Sequence, residues 1–393
     1  MKRPPHPTLD FSDLWPAAAS SRLSCLPGIG ELQFFFNGRA ALHHLFGQLR
    51  RDGRKRVLLP AFHCVSVVEP AIRAGMEVSF YRVDRRLGID FDEVMSLLRS
   101  DVAAVVFINY FGFPAAFEPL LDALRARAIA VVEDCSHSFL FGGPLGLAGQ
   151  RADFSVYSFW KLVASGVGGA LWSAATLPAP SLRMPPWRDS LARTKRLLEQ
   201  AVLARDGRSR LARWYGRLEA ARVRRRGAAT GLSHAGPPSP ADASAEFDPR
   251  QASTKLPCLP RHILRAADLQ RIVAARRANH LVYARSLESA STPRSVLPEL
   301  PARVCPWAFP VLMPRRCEHD LKLRERGIPV WTFGDVLHPA LDRAASDRAI
   351  SDARFLAATL LCLPLHQGIS TDDAGQFAAI LLDYVGVNFD HAD

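Results

Sequence analysis

Short apolar, β-branched runs alternate with longer stretches of helical spacing between residues 34 and 172. Runs at 57–59, 78–81, 102–108, 129–132, 154–157 and 170–172 predict strands, and stretches at 40–50, 66–74, 91–99 and 117–127 predict helices. This alternation predicts an α/β fold whose mostly parallel sheet, of the seven-stranded type, is covered by helices on both faces. In such sheets ligands meet the carboxyl ends of the strands, so chemistry is expected in the residues that directly follow each apolar run. Beyond residue 172 the alternation stops, and an Arg-rich helical stretch carrying Leu191, Leu198, Val202, Leu211 and Trp214 takes over. A segment at 227–255, rich in Ala, Gly, Pro and Ser, reads as a connector. The remainder opens with a helical run over 261–287, holds a strand candidate at 308–313 and closes with a helix at 372–384, which predicts a smaller α+β domain. The expected organisation is an arm at 1–33, a large domain at 34–175, a basic helical insert and flexible linker at 176–255, and a small C-terminal domain at 256–393.

Charge changes this picture in one place. The formal net charge is +12, and residues 183–226 hold 14 basic side chains against 4 acidic ones. Nearly all the excess is therefore local, which argues against a nucleic-acid surface spread over the fold. An amphipathic insert with arginines on one face suits an anionic membrane surface, an acidic partner or a nucleotide diphosphate at a site mouth. Its plainer role is a solvated arm packed on the subunit. The seven cysteines are scattered and include no C-x-x-C pair, which fits a reducing cytoplasm and predicts neither a disulfide framework nor a metal site. No apolar run approaches the roughly 18 residues of a membrane-spanning helix. The first ten residues lack the apolar core of a secretory signal, so a cytoplasmic location is expected.

Three segments carry candidate chemistry. IAVVEDCSHSF at 129–139 is an apolar strand that delivers Glu133 and Asp134 at its carboxyl end and His137 three residues on. Strand residues alternate in direction, so Asp134 is the candidate to face a cationic heterocycle and Glu133 faces the other side. ADFSVYSFWKLVASGVGGAL at 152–171 delivers Ser158 and then Lys161, with a Gly-rich turn behind. A lysine at a strand end beside a hydroxyl is what Schiff-base chemistry needs, provided its amine is desolvated enough to lose its proton near neutral pH. FNGRAAL at 36–42 is a Gly turn opening a helix, whose first N–H groups suit a phosphate. The order of helix-opening Gly, strand-end Asp, Ser and Lys fits pyridoxal 5'-phosphate (PLP) held by phosphate, ring nitrogen and aldehyde.

These segments resemble the DegT/DnrJ/StrS family of PLP-dependent sugar aminotransferases, a branch of the aspartate aminotransferase fold, fold type I. The likeness includes NGRAAL, LLPAFHCVSVVEPAIRAG at 58–75, VVEDCSHSF, YSFWKLVASGVGGAL and LCLPLHQGIS at 361–370. It implies that Lys161 bonds the cofactor and shuttles the proton, Asp134 pairs with the pyridine nitrogen, and His137 lies near the ring hydroxyl. Ser158 and the backbone N–H groups of Arg39 and Ala40, behind Gly38, would hold the phosphate. Cys64 stands where many members place an aromatic ring over the cofactor, with His63 beside it; His338 and His366 belong to segments that approach the site in relatives. The implied reaction moves an amino group, usually from glutamate, to a keto-sugar attached to a nucleotide, in surface-glycan or polysaccharide biosynthesis, in a homodimer with sites at the subunit interface. Relatives that dehydrate sugars tend to carry His at the lysine position, so Lys161 favours transamination. The alternative is a non-catalytic member that binds a membrane or polyanion through the insert.

Overall fold

A computed structural model describes residues 3–50, 54–141, 146–204, 247–290 and 292–389. Ten strands define its architecture: β1 Gln33–Phe35, β2 Arg56–Pro60, β3 Glu77–Tyr81, β4 Val102–Ile108, β5 Ala130–Cys135, β6 Phe154–Ser158, β7 Gly169–Ser173, β8 Arg294–Ser295, β9 Ala308–Leu312 and β10 Leu360–Pro364. The first seven form one sheet in the order β1-β7-β6-β5-β4-β2-β3. Pairings from β3 through β2, β4 and β5 to β6 are parallel, while β6–β7 and β7–β1 are antiparallel. The mostly parallel sheet expected from the sequence is therefore present. β4 is buried at all seven positions, as a strand covered on both faces must be.

From β2 the chain runs outward to β3, then crosses back so that β4, β5 and β6 follow on the other side. The loops after β2 and β4 consequently diverge, which opens a crevice at the carboxyl ends of the central strands. Helices Gly38–Arg50 and Val65–Arg73 pack on each other beside this crevice.

β8, β9 and β10 form a second, antiparallel sheet. Helices Leu269–Ser286 and Thr371–Phe389 accompany it, and Tyr283, Phe309, Val311, Leu361, Phe377 and Leu381 close a second hydrophobic core. The two sheets are tied together by Asp352 of helix Asp347–Thr359, which accepts from Arg82 Nε and Arg85 Nε, each at 2.7 Å.

Several expectations need adjustment. β1 was not expected; it is three residues long and exists through its pairing with β7. The helical run at 261–287 is two helices, Cys258–Ala266 and Leu269–Ser286, because Asp268 caps the second by accepting from the Arg271 N–H at 3.0 Å. The helix expected at 117–127 begins as a 3-10 turn and becomes α-helical over Leu121–Ala126. Of the basic insert and linker, Trp187–Ala204 and the short Pro249–Ala252 are helical, and residues 205–246, with Leu211 and Trp214, lie outside the described residues. Among the described residues no helix is long and apolar enough to cross a membrane.

Candidate active site

β6 is buried at every position and ends at Ser158, after which Phe159–Lys161 make one 3-10 turn. The chain then reverses through Gly168, whose φ of +132° falls in the region that side chains avoid, so that the Phe159 N–H donates to the Gly168 carbonyl at 2.9 Å. Gly169 follows, and a Cβ there would lie 2.2 Å from the Asn37 carbonyl carbon. These two glycines let β7 press against the turn that starts helix Gly38–Arg50, which brings that helix terminus beside the lysine turn.

The result is a cavity of about 350 Å³ at the crevice. Gly38, Arg39, Cys64, Asp134, His137, Ser158 and Lys161 all line it. Ala40 does not: its N–H donates to Asn37 Oδ1 at 2.9 Å, so the cap consumes one of the two amides expected to meet a phosphate. A Cβ on Gly38 would sit 3.5 Å from Ser158 Cβ and 3.6 Å from Ser136 Oγ. The Gly38 turn and the two serines thus form a compact polar cradle, with Ser136 a member the sequence reading missed.

Asp134 is 3% exposed and its Oδ1 accepts from the Ser136 N–H at 2.9 Å. Glu133 turns the other way, accepting from Asn109 Nδ2 at 2.8 Å and from Arg151. Lys161 Nζ lies 4.7 Å from the centre of the Trp307 ring. Burial pulls the lysine pKa below its ordinary value, opposed chiefly by the nearby Asp134 and helped by the charge of Arg39. His137 Nδ1 accepts from the Phe111 N–H at 3.2 Å, so its proton sits on Nε2. Burial, and then Lys161, hold it well below its usual pKa.

A ring of aromatic side chains completes the cavity. Trp307 approaches His137 with ring centres 4.0 Å apart, and Trp331 and Phe333 join from the second sheet's side. Cys64 sits on the cavity wall as the cap of helix Val65–Arg73, and these rings enclose the space in its neighbourhood. His6 arrives from the arm, 4.8 Å from Trp331 and 5.8 Å from Trp160 between ring centres. Burial, and then Lys161 and Arg276, lower its pKa to about 4. Sequence spacing could not find these residues, although Trp307 directly precedes the apolar run read as a strand.

The other candidate histidines lie outside the cavity. His63 is buried beneath it, with Nδ1 3.1 Å from the Pro60 carbonyl and Nε2 accepting from the His338 N–H at 3.2 Å. His338 Nε2 is 3.1 Å from Glu69 Oε1. His366 Nε2 meets the Pro4 carbonyl at 2.9 Å and, with the Arg3–Asp373 ion pair, holds the arm that carries His6.

A seven-stranded sheet of this order, with a buried lysine beyond β6 and a carboxylate near the end of β5 facing one cavity, is similar to the fold of solved aminotransferases and of a sugar dehydratase with bound PLP. Solved structures share it across the chain. Helicobacter pylori PseC, an aminotransferase of pseudoaminic acid biosynthesis, covers 90% of this chain and 86% of its own at 16% identity, with a TM-score of 0.62. The Escherichia coli GDP-4-keto-6-deoxy-D-mannose-3-dehydratase with bound hydrated PLP covers 89% and 87% at 15% identity, with a TM-score of 0.60. Residues 35–177 match the DegT/DnrJ/EryC1/StrS aminotransferase family, so this part of the chain is similar to the family its sequence resembles. A curated relative, the dTDP-4-dehydro-2,3,6-trideoxy-D-glucose 4-aminotransferase of Saccharopolyspora spinosa, is 26% identical over 148 residues, 37% of this chain and 38% of its own. The chain's matches to its first curated relatives span 37% and 38% of their length.

Proposed function

We propose that this chain is a PLP-dependent aminotransferase that moves an amino group, with glutamate as donor, to a keto-sugar carried on a nucleotide, working as a cytoplasmic homodimer in glycan biosynthesis. The observation that carries the reading is the convergence of Lys161, Asp134 and the Gly38–Ser136–Ser158 cradle on one cavity. The residues present fit PLP. Lys161 would hold its aldehyde carbon, Asp134 its ring nitrogen, and Ser136, Ser158 and the first amides of helix Gly38–Arg50 its phosphate. When bound, the group supplies an electron sink that withdraws charge from the reacting carbon.

The chain's own residues do the rest. Burial favours the neutral Lys161 amine, which makes Nζ a base able to take a proton from the substrate carbon and return it to the partner carbon. Asp134, fixed by the Ser136 N–H, offers a negative charge at the strand end where a cationic ring nitrogen would otherwise be deprotonated. His137, kept neutral and with its proton on Nε2, is a hydrogen-bond donor at the cavity wall. Trp307, Trp331 and Phe333 exclude water from the lysine and present flat apolar faces to a sugar ring.

The test compares wild type with Lys161→Ala. Wild type incubated with PLP is expected to gain a visible absorbance band that borohydride fixes covalently to Lys161 by peptide mapping, and glutamate is expected to bleach the unreduced band. A label on another lysine, or no band at all, would sink the reading.

A further inference from the structure

The start of helix Trp187–Ala204 carries an apolar patch that faces solvent. Met184 is 59%, Trp187 70% and Leu191 59% exposed, and the three stand within eight positions of one another. Large apolar side chains scattered singly over a surface are ordinary, whereas neighbours held together mark a contact.

The patch is firmly mounted. The Arg183 N–H donates to the Ser253 carbonyl at 2.8 Å and the Arg183 carbonyl accepts from the Lys255 N–H at 2.9 Å, which fixes the segment leading to Met184. The helix itself is docked through Leu197 and Ala201, 8% and 1% exposed, and a Cβ on Gly166 would lie 2.7 Å from Leu197 Cδ2. Trp187 and Leu191, one turn apart, are left projecting into water.

Basic side chains surround the patch. Arg183, Arg188, Lys195 and Arg196 are all exposed, and Asp189 is the only carboxylate between residues 183 and 196. The Arg188 guanidinium lies 5.4 Å from the centre of the Trp187 ring. Arg188, Leu191 and Lys195 follow one another at intervals of three and four, so they share one outward stripe of the helix. The excess extends along the chain, with 14 basic against 4 acidic side chains over residues 183–226. An indole and a leucine edged by cationic groups suit a bilayer interface, where the apolar parts enter the head-group region and the cations meet lipid phosphates. A second copy of this chain is a poor occupant, because self-docking of the patch would set basic side chains against basic ones.

We propose that this patch docks the protein reversibly on an anionic membrane surface, with Met184, Trp187 and Leu191 entering the head-group region and Arg188 and Lys195 meeting lipid phosphates. The inference does not depend on the aminotransferase reading. Because the helix rests on Gly166, five residues after Lys161, docking holds the lysine turn close to the bilayer.

Co-sedimentation of the full-length protein, incubated with PLP, with lipid vesicles tests it. Wild type is expected to pellet with phosphatidylcholine vesicles that contain phosphatidylglycerol. It is expected to stay in solution with phosphatidylcholine alone, and to be released from the anionic vesicles by salt at about 0.5 M. Trp187→Ser combined with Leu191→Ser, and separately Arg188→Gln combined with Lys195→Gln, are each expected to weaken partitioning by about tenfold or more. Leu321→Ser removes a comparably exposed leucine, at 62%, from helix Arg316–Glu325 and is expected to change nothing. Wild type that ignores the anionic vesicles overturns the proposal, as does undiminished pelleting of either double variant or equal weakening by Leu321→Ser. Sedimentation velocity without vesicles adds a second readout. If the Trp187 and Leu191 substitutions dissociate an oligomer, the patch is an interface between copies of this chain and the proposal falls; an unchanged sedimentation coefficient supports it.

Discussion

Acidification is expected to strip stability from this protein through His63, and the structure supplies the size of the effect. The side chain has no exposed surface, lies against Phe80 with ring centres 5.1 Å apart, and joins Pro60 to the 338 loop. Its Nδ1 proton goes to a carbonyl, and its Nε2 must accept from the His338 N–H, so a second proton would set two donors face to face. Burial, only partly offset by the Pro60 carbonyl, lowers its pKa from 6.5 to about 4. The unfolded chain takes up a proton near 6.5 and the folded chain only near 4, so the contribution is complete above about 6.5 and disappears as pH falls through that window. At about 1.4 kcal/mol per pH unit the full span is worth about 3 kcal/mol. Urea unfolding of wild type and His63→Gln at several pH values between 7.5 and 4 measures it. The variant is expected to be the less stable protein at pH 7.5, with the gap closing steadily toward pH 4. A gap that stays constant across the series would refute the reasoning.

Three other outcomes are expected. Gly169→Ala puts a methyl group into the Asn37 backbone, and should cost about 1–3 kcal/mol in thermal or urea unfolding and weaken PLP retention, because the cradle lies on that turn. Arg276 is fully buried, donates to the Trp307 carbonyl at 3.0 Å and the Lys161 carbonyl at 3.1 Å, and is lowered to about 10 by burial; Arg276→Met should strand those carbonyls, cost roughly 2–4 kcal/mol in urea unfolding, and shift the visible band of the loaded protein. In the cofactor-free protein Lys161 should lose its proton at a pH below the ordinary lysine value of 10.5, read as the pH dependence of its labelling by an amine-selective reagent with peptide mapping; a midpoint above that value would contradict the burial argument.

The parts of the fold that were legible in the sequence are those whose cause is local. β4 read clearly because a strand covered on both faces must be apolar throughout, whereas β5 was legible only over its apolar start and carries Glu133 and Asp134 inside the strand; Asp134, Ser158 and Lys161 line the cavity because such strands present the residues at one end to the crevice. β1 was silent, since three residues held by a partner more than 130 positions away leave no periodic trace. The break at Asp268 hid inside a continuous helical pattern, as a single capping aspartate does not interrupt the spacing of apolar side chains. The resemblance placed Ala40 among the phosphate donors, but the Asn37 side chain had already claimed that amide. His6, Trp307, Trp331 and Phe333 stayed invisible for a different reason: they converge from three distant segments, and only the docking of the two sheets makes them neighbours.

That convergence also equips the molecule for observation. Three of the chain's seven tryptophans, Trp160, Trp307 and Trp331, border the lysine cavity. Their emission overlaps the absorption of a pyridoxal chromophore, so cofactor loading should quench intrinsic fluorescence by energy transfer. The quench then lets filling of the lysine cavity be timed by stopped flow on the unlabelled protein.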